Sequence, residues 1–387
     1  MAKKDKTISF LERMEMDNLD PDWNIPFEFP DLTGYKEIAV DLETRDPNLT
    51  TLGPGWARGD GNIVGIAVAA GDYAGYFPIR HQNGHNLDPK MTLRWFKKQM
   101  ATPRIDKIMH NATYDAGWLY AEGIEVQGRI IDTMVAAPLI DENRFSYSLN
   151  NLGRDWIDMR KNEKMLRAAA KDFGLDPKSE MWRLPPMYVG AYAEQDAIMT
   201  LKLWHRLKIE IGEQDLGAIF DLETGLIPLM LEMRKKGVRV DLDKADQARD
   251  GLRKQVKKLK DFIKHKSGVK IEPWAAESVK KVFEALDLSY PSTETGAPSF
   301  NKHHLSSHPN EVAQAIVKLR ELDKADGTFI ETIQRHSHKG RIHCEFHQLR
   351  SDDGGTVTGR FSSSNPNLQQ SPARDPDIKK LIRGLFI

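Results

Sequence analysis

The sequence predicts an α/β protein in which a mixed sheet is followed by a mainly helical region and then by the first strands of a second sheet. Three observations carry this prediction. Residues 36–212 open with three strand-like segments and continue with strand–helix alternation, which is typical of a mixed sheet. Residues 213–340 carry long amphipathic helical patterns. Residues 341–387 return to strand-like segments.

Composition narrows the class of protein without indicating its partner. A chain of 387 residues is long enough for two or three domains. Lys plus Arg equals Asp plus Glu, at 56 each, so net charge favours no particular ligand. The single cysteine, Cys344, excludes an internal disulfide and fits a reducing cytoplasm. No apolar run is long enough to span a bilayer, so we expect a cytoplasmic protein with no membrane partner.

The chain begins with a polar segment and then a hairpin. Residues 1–35 contain three spaced prolines and predict an N-terminal arm. The first strand is expected at Ile38–Thr44, the second at Asn62–Ala69 and the third at Tyr73–Ile79. The Gly-Asp turn between the last two predicts that they pair as an antiparallel hairpin.

Strand–helix alternation fills the remainder of residues 36–212. A strand at Lys107–His110 precedes a helix at Thr113–Glu122. A further unit begins at Ile130, with Asp132 or Thr133 placed to cap the helix that follows. Other helices are expected at 91–100, 148–159 and 188–211.

From residue 216 onwards helical patterns dominate. Gly237 ends the first of these helices, and the second carries a basic stripe. Helices are predicted at 221–236, 243–266, 275–286 and 311–337, then a strand at 341–349, a turn at 352–355 and a return strand.

Two acids at the end of the first strand suggest a metal site. Asp41 and Glu43 project from the same side of the strand, because side chains alternate along it. Two carboxylates so close repel each other and are costly to bury. A divalent cation removes both problems, since Mg²⁺ and Mn²⁺ take oxygen ligands. The alternative is a solvated strand end.

Two later acids complete a candidate catalytic set. Asp115 lies at a strand-to-helix junction, and Tyr192 and Asp196 are four residues apart on one helix face. Four carboxylates can hold two divalent metal ions, Mg²⁺ or Mn²⁺, and such a pair hydrolyses phosphodiesters. A tyrosine hydroxyl can orient the attacking water. The sequence offers no convincing Ser/His or Cys/His nucleophile.

This segment resembles the 3′–5′ exonuclease domain of family A DNA polymerases, of the type with four acids and a tyrosine. The resemblance implies a ribonuclease H-like fold for residues 36–212, and it implies that the chain is an enzyme. It implies metal ligands at Asp41, Glu43, Asp115 and Asp196, and a water-positioning Tyr192. It also implies that Leu42, Thr44 and Asn111 line the site for the terminal nucleotide.

The resemblance continues into the polymerase part of the family. Residues 213–340 are similar to the thumb, which implies that Lys254, Lys257 and Lys258 contact the DNA backbone. Residues 358–369 resemble the palm segment that follows the primer–template minor groove. By match, the DNA contacts there are Thr358, Arg360, Asn367, Gln369 and, beyond them, Arg374. Gln370 stands where the family commonly has Asn.

The last residues suggest an incomplete polymerase. Ile378–Ile387 resembles the strand approach that precedes the first catalytic aspartate of the palm. That aspartate, the fingers helix and the second acidic palm motif are not in the sequence. We therefore expect a split or truncated polymerase of bacteriophage type, in which a second polypeptide carries the rest of the palm and the fingers.

Two other functions remain open from sequence. One is a free-standing nuclease resembling ribonuclease D, and the other is a DNA-holding subunit with an inactive nuclease domain. Asp221-Leu222-Glu223-Thr224 repeats the text of the first acidic motif, but its helical pattern favours a helix surface. Asp352 and Asp353 are interpreted as turn residues. Several histidines could suggest zinc, but no spacing supports it.

Overall fold

The structure, a computed structural model, describes residues 22–352, 354–372 and 375–387. Within these ranges the chain forms two compact units. The first contains the described residues up to Lys236 together with Cys344–Asn365, and the second contains Gly237–His343 and the described part of Pro366–Ile387. Most of the predicted arm, Asp353 and Arg374 lie outside the described residues. Residues 22–35 contain no helix or strand.

The first unit is organised around a five-stranded sheet. Its order is β3-β2-β1-β4-β5, with β1 in the centre. The strands β1, β2 and β3 pair antiparallel, whereas β4 and β5 continue parallel to β1, so the predicted mixed sheet is confirmed. The strands are β1 (Glu37–Arg45), β2 (Asn62–Ala70), β3 (Tyr73–Pro78), β4 (Asp106–Met109) and β5 (Ile130–Asp132).

Helices cover this sheet. Two of them, α1 and α6, were not predicted from sequence. The helices are α1 (Leu49–Leu52), α2 (Pro89–Met100), α3 (Ala112–Ala121), α4 (Thr133–Ile140), α5 (Leu149–Ile157), α6 (Lys164–Asp172), α7 (Gly190–Glu213) and α8 (Gly217–Lys236).

The central strand β1 sends alternate side chains to two hydrophobic cores. Ala39 faces the core that contains α4, α5 and α7. Ile38, Val40 and Leu42 face the core that contains residues of α2 and α3. Because the side-chain period of a strand is two, Asp41 and Glu43 continue the row of Ala39 towards α7.

The second unit is mainly helical, as predicted. Gly237 has a φ of 61° and separates α8 from β6. A small sheet of order β6-β8-β7 accompanies the helices. The elements are β6 (Val238–Arg239), α9 (Leu242–Ser267), α10 (Ala276–Ala285), α11 (Lys302–Ser307), α12 (Glu311–Lys324), α13 (Glu331–His336), β7 (Ser337–His338), β8 (Arg341–Ile342) and α14 (Pro376–Arg383).

Two sequence-based expectations for the C-terminal part are corrected. The strand expected at 341–349 is two short strands, β8 and β9 (Glu345–His347), which belong to different units. The strand approach expected at Ile378–Ile387 is mostly the helix α14, and only Phe386 makes an isolated antiparallel bridge, to Val240. Asp375 caps α14 by accepting hydrogen bonds from the backbone N–H groups of Asp377 and Ile378.

The segment Cys344–Asn365 returns to the first unit. There β9 pairs antiparallel with β10 (Ser362–Ser364). The Gln348 amide donates to the backbone oxygen and the carboxylate of Glu223, at 2.7 Å each. Arg234 lies 3.5 Å from the Glu345 carboxylate. The segment thus contributes buried polar partners to α8.

The helices were also considered as membrane spans. None in the described part of the chain combines the length and the apolarity that a bilayer crossing requires.

Candidate active site

The side chains of Asp41, Glu43, Tyr192 and Asp196 converge between β1 and α7. Asp41 and Glu43 end the apolar part of β1 on the side that faces α7. On α7, Tyr192 and Asp196 are one helical turn apart and share a face. Asp196 is only 2% exposed, so its carboxylate is buried beside the strand. The predicted pairing of a strand motif with a helix motif is therefore present.

Asp115 joins the set from α3. It lies in the first turn of that helix and is 4% exposed. Its Oδ1 atom accepts a hydrogen bond of 3.1 Å from the backbone N–H of Leu42, the residue between the two acids of β1. This bond fixes the Asp115 carboxylate against the end of β1.

The start of α3 is held by Asp132. The Asp132 carboxylate accepts hydrogen bonds from the N–H groups of Asn111, at 3.0 Å, and Ala112, at 2.8 Å. It also accepts one of 2.8 Å from Met134, so it caps α4 as predicted. One side chain thus caps two helices, and it sets the position from which α3 presents Asp115.

The four carboxylates share an environment that opposes their ionisation. Burial raises the pKa of Asp41 to about 7, and the nearby Asp196 charge adds to the effect. Burial raises the pKa of Glu43 as well, with Asp41 as the largest charge contribution. For Asp115, burial and then Asp41 raise the pKa. Burial also raises the pKa of Asp196, although Lys161 opposes the shift.

Tyr192 presents a neutral hydroxyl to this cluster. Burial first, and then the charge of Asp196, raise the pKa of Tyr192 far above its usual range. The phenol therefore stays protonated at neutral pH. A protonated hydroxyl can donate one hydrogen bond and accept others, which suits a group that orients water.

Lys161 is a member of the site that sequence reasoning missed. Its Nζ atom lies 2.5 Å from Asp196 Oδ2 and 3.3 Å from the Tyr192 hydroxyl. Burial alone would lower the pKa of Lys161, but the carboxylates of Asp196 and Asp41 outweigh burial and raise it. It stands in a run of charged residues, which ordinarily indicates a solvated loop, so no sequence signal distinguished it.

The donors fit divalent cations of the Mg²⁺ class by their chemistry. All four are carboxylates, the oxygen ligands that Mg²⁺ and Mn²⁺ prefer. Asp196 Oδ1 is buried and has no hydrogen-bond partner among the described residues. Across those same residues, no group of three or more His, Cys, Asp or Glu side chains is already arranged as a metal site. The ammonium of Lys161 is the cation in contact with Asp196.

The three predicted nucleotide-lining residues differ in their placement. The Leu42 side chain is 6% exposed and packs in the core with residues of α2 and α3, and its place beside a terminal nucleotide stays a prediction. Thr44 follows a register shift in β1, and its hydroxyl lies 2.6 Å from the Tyr114 hydroxyl. Asn111 adopts a left-handed φ of 72° at the start of α3.

The predicted DNA-contacting residues are at the surface. Lys254, Lys257 and Lys258 are exposed on α9, and Lys257 pairs with Asp261 at 2.7 Å. Thr358 and Arg360 are exposed in the first unit.

In the second unit, Asn367 and Gln369 are exposed. The Asn367 side chain accepts a 3.0 Å hydrogen bond from the backbone N–H of Gln369. Arg374 lies outside the described residues, so its role stays a prediction.

The structure shows the surroundings of two acidic segments outside the candidate site, the repeat that begins at Asp221 and the turn that contains Asp352. The repeat beginning at Asp221 lies on α8, where Asp221 is exposed and pairs with Arg129, while Glu223 is buried on the same helix. Asp352 accepts hydrogen bonds from the Tyr147 N–H, at 2.7 Å, and from the Ser146 hydroxyl, at 2.6 Å. It therefore ties its loop to the start of α5.

Comparison with known proteins decides the family. Residues 29–211 match the profile of the 3′–5′ exonuclease domain, and residues 242–387 match that of DNA polymerase family A. The chain belongs to the family A DNA polymerases. The chain is 37% identical to the DNA-directed DNA polymerase of Pseudomonas phage M6, over 98% of this chain and 60% of the relative. It is 30% identical to DNA polymerase DpoZ of Acinetobacter phage SH-Ab 15497, over 93% of this chain and 59% of that relative.

Structural comparison gives the same fold. The polymerase domain of Pol1 from M. smegmatis, solved with a DNA primer-template and a dNTP, aligns with a TM-score of 0.71 at 20% identity. The alignment covers 94% of this chain and 58% of that chain. The predicted fold class is confirmed. The chain spans about 60% of the length of the first phage relatives it matches.

Proposed function

We propose that this family A polymerase chain excises nucleotides from DNA 3′ ends by metal-dependent hydrolysis. The observation that carries the proposal is the convergence of Asp41, Glu43 and Asp196 beside Tyr192, with Asp115 bonded to the strand that bears the first two. All four carboxylates lie in surroundings that raise their pKa values. Bound divalent cations would stabilise such a site, because their charge offsets the repulsion between its buried carboxylates. Its match to the 3′–5′ exonuclease profile supports the same reaction.

In the proposed reaction, water attacks the phosphorus between the last two nucleotides. The 3′ oxygen of the shortened strand leaves, and the product is a nucleoside 5′-monophosphate. Divalent ions held by Asp41, Glu43, Asp115 and Asp196 would supply water activation and stabilisation of the leaving oxygen. Tyr192 would orient the water through its protonated hydroxyl. Thr44 and Asn111 would border the terminal nucleotide.

The polymerase part would hold primer–template duplex. The exposed lysines of α9 would contact phosphates without reading sequence. Thr358, Arg360, Asn367, Gln369 and Arg374 would contact the duplex by their match to the palm segment. The excision reaction would then act on mispaired primer ends in the cytoplasm of a host cell.

DNA synthesis would require polymerase sequence beyond the part matched here. We propose that this sequence can be supplied by a second polypeptide carrying the rest of the palm and the fingers. The test mixes the purified chain with the separately expressed remainder of the M6 relative, on a primed template with nucleotides. Primer extension only in the mixture would support the proposal, and no extension in the mixture would contradict it.

The excision assay uses 5′-labelled single-stranded DNA, Mg²⁺ and the purified chain. We expect a ladder of products shortened one nucleotide at a time, and none with EDTA. Asp41→Asn should abolish the ladder, because the loss of one ligand from such a site removes most of the rate. Asp221→Asn changes the same tetrapeptide where it lies exposed on α8, and it should excise like the wild type.

Two results would replace the proposal. Shortening of 5′-labelled RNA at a rate equal to or above that of DNA would favour the ribonuclease D-like alternative. Binding of DNA with no shortening, in the wild type and in Asp41→Asn alike, would favour a DNA-holding subunit.

A further inference from the structure

Lys161 stands inside the acidic site although neither the motifs nor the proposed reaction require it. Its ammonium contacts Asp196 Oδ2 at 2.5 Å and the Tyr192 hydroxyl at 3.3 Å. It also lies 5.3 Å from the centre of the Tyr192 ring, within the range of a cation–π contact. The lysine side chain is 18% exposed and that of Asp196 is 3% exposed, so the pair is largely removed from water.

The loop between α5 and α6 is built to present this lysine. The backbone N–H of Lys161 donates to the Asn150 side chain at 3.0 Å. The N–H of Asn162 donates to Gln195 Oε1 at 2.6 Å, and Gln195 Nε2 donates to the Arg160 carbonyl at 3.1 Å. Three consecutive loop residues are therefore tied to α5 and α7. These bonds fix the backbone from which the Lys161 side chain reaches the acidic cluster.

The burial of the Asp196 carboxylate explains why a positive charge beside it stabilises the site. A buried carboxylate that loses its cationic partner is left with an uncompensated charge, which is strongly destabilising. Lys161 supplies one positive charge to Asp196 Oδ2, and it leaves Oδ1 without a partner among the described residues. A divalent ion that binds Asp196 would compete with the ammonium for this carboxylate.

We propose that Lys161 is a positioning residue of the nuclease site. It serves as the counter-cation of Asp196 when no divalent ion is bound and releases Asp196 Oδ2 when one binds, and it holds the Tyr192 hydroxyl in both states. The inference rests on the proposed function for the identity of the reaction. Its electrostatic part can be tested without DNA.

The first test measures thermal unfolding of the full chain in EDTA and in Mg²⁺. Lys161→Met should lower the melting temperature in EDTA, and Mg²⁺ should restore most of the loss, since bound ions then compensate Asp196. Lys161→Arg keeps the charge, so its melting temperature in EDTA should fall less than that of Lys161→Met. Lys161→Gln keeps a hydrogen-bond donor without charge and replaces the Met variant if that one does not fold. Lys164→Met, an exposed lysine in the same charged run, should melt like the wild type in both buffers.

The second test measures excision of single-stranded DNA under multiple turnover. Lys161→Met should lower kcat about 10- to 100-fold, the usual cost of losing a group that orients ligands, with KM for DNA unchanged. Lys161→Arg should recover part of kcat. A residue that only packs the loop would give equal melting losses in EDTA and Mg²⁺ and no recovery by Arg.

The outcomes separate this inference from the proposed function. Equal melting losses for Lys161→Met in EDTA and in Mg²⁺, or none in either, would overturn the positioning role even if the wild type excises DNA. Absence of excision by the wild type, together with a melting loss that Mg²⁺ restores, would overturn the proposed function and support the counter-cation role.

Discussion

Asp41 lies where β1 leaves the hydrophobic core, and its carboxyl group bears the electrostatic cost of that position. Burial and the Asp196 charge raise its pKa from 3.8 to about 7. Between those two values the folded protein holds a proton that the unfolded chain has lost. The metal-free protein is therefore stabilised relative to the unfolded chain as pH falls through about 7, and destabilised as pH rises.

The direction of this pKa shift predicts how the stability of the metal-free protein depends on pH. In EDTA, the melting temperature of the wild type should rise as pH is lowered from 8 to 6, and Asp41→Asn should lose part of that rise because the amide cannot titrate. Thermal unfolding across this pH range measures the effect. Asp221→Asn, at an exposed position on α8, serves as the control. A melting temperature that rises no more in the wild type than in Asp41→Asn would contradict the raised pKa of Asp41.

Residue-level prediction from sequence was uneven for physical reasons. Asp41, Glu43, Tyr192 and Asp196 could be found because strand and helix periodicities put each pair on one face. Asp132 was found only as a cap of α4, since its bonds to the start of α3 join segments some 20 residues apart. Lys161 carried no local signal, because its role depends on a contact across 35 residues.

At the scale of elements, the pairing of β1 with β2 sets the space around Glu43. Gly65 on β2 is the register partner of Glu43. A Cβ atom at Gly65 would lie 2.0 Å from the Tyr76 hydroxyl, which is itself 2.6 Å from His81 Nε2. Glycine at this position therefore allows Tyr76 to lie close beneath the acidic end of β1.

Gly65→Ala should consequently destabilise the protein, by about 1–3 kcal/mol, because an added methyl group must displace a buried aromatic side chain. Urea unfolding measures the free energy. Gly251→Ala is the matched change in open space on α9, and it should be neutral or stabilising by up to about 1 kcal/mol, since Ala is the better helix former. Equal free energies of unfolding for Gly65→Ala and the wild type would show that Tyr76 can move aside without destabilising the protein.

The elements themselves were largely predictable, and the misses are instructive. Apolar runs bounded by Gly and Asp predict the strands of the main sheet. The resemblance to the palm predicts a strand approach at the position of α14, whereas the local signals favour a helix. Those signals were present: Asp375 and Pro376 form a helix start, and Ile378 and Ile382 are buried at helical spacing.

At the scale of the whole molecule, the first unit is not continuous in sequence. The predicted boundary at residue 212 places α8 in the thumb-like region and residues 344–365 in the palm-like region, and the contacts in the structure group both with the first compact unit. Sequence could not indicate this grouping, because it depends on contacts across more than 100 residues. The clearest are the bonds from Gln348 to Glu223, which is 8% exposed.

We therefore expect residues 1–236 alone to be less stable than the full chain. Without the returning segment, the buried Glu223 carboxylate loses the Gln348 amide and Arg234 loses Glu345, and unpaired buried polar groups are costly. Thermal unfolding of both proteins, followed by far-UV circular dichroism, would measure the difference. An equal melting temperature for the shortened chain would show that the segment adds no stability.

The most direct test of the account follows excision of a DNA strand whose terminal linkage carries sulfur in place of the bridging 3′ oxygen. Sulfur is a poor ligand for Mg²⁺ and a better one for Mn²⁺. If the cluster of Asp41, Glu43, Asp115 and Asp196 holds ions that stabilise the leaving atom, the sulfur strand should be cut slowly in Mg²⁺ and much faster in Mn²⁺, while the oxygen strand is cut well in both. Equal rates for the sulfur strand in the two metals, with the oxygen strand cut normally, would contradict the proposed mechanism.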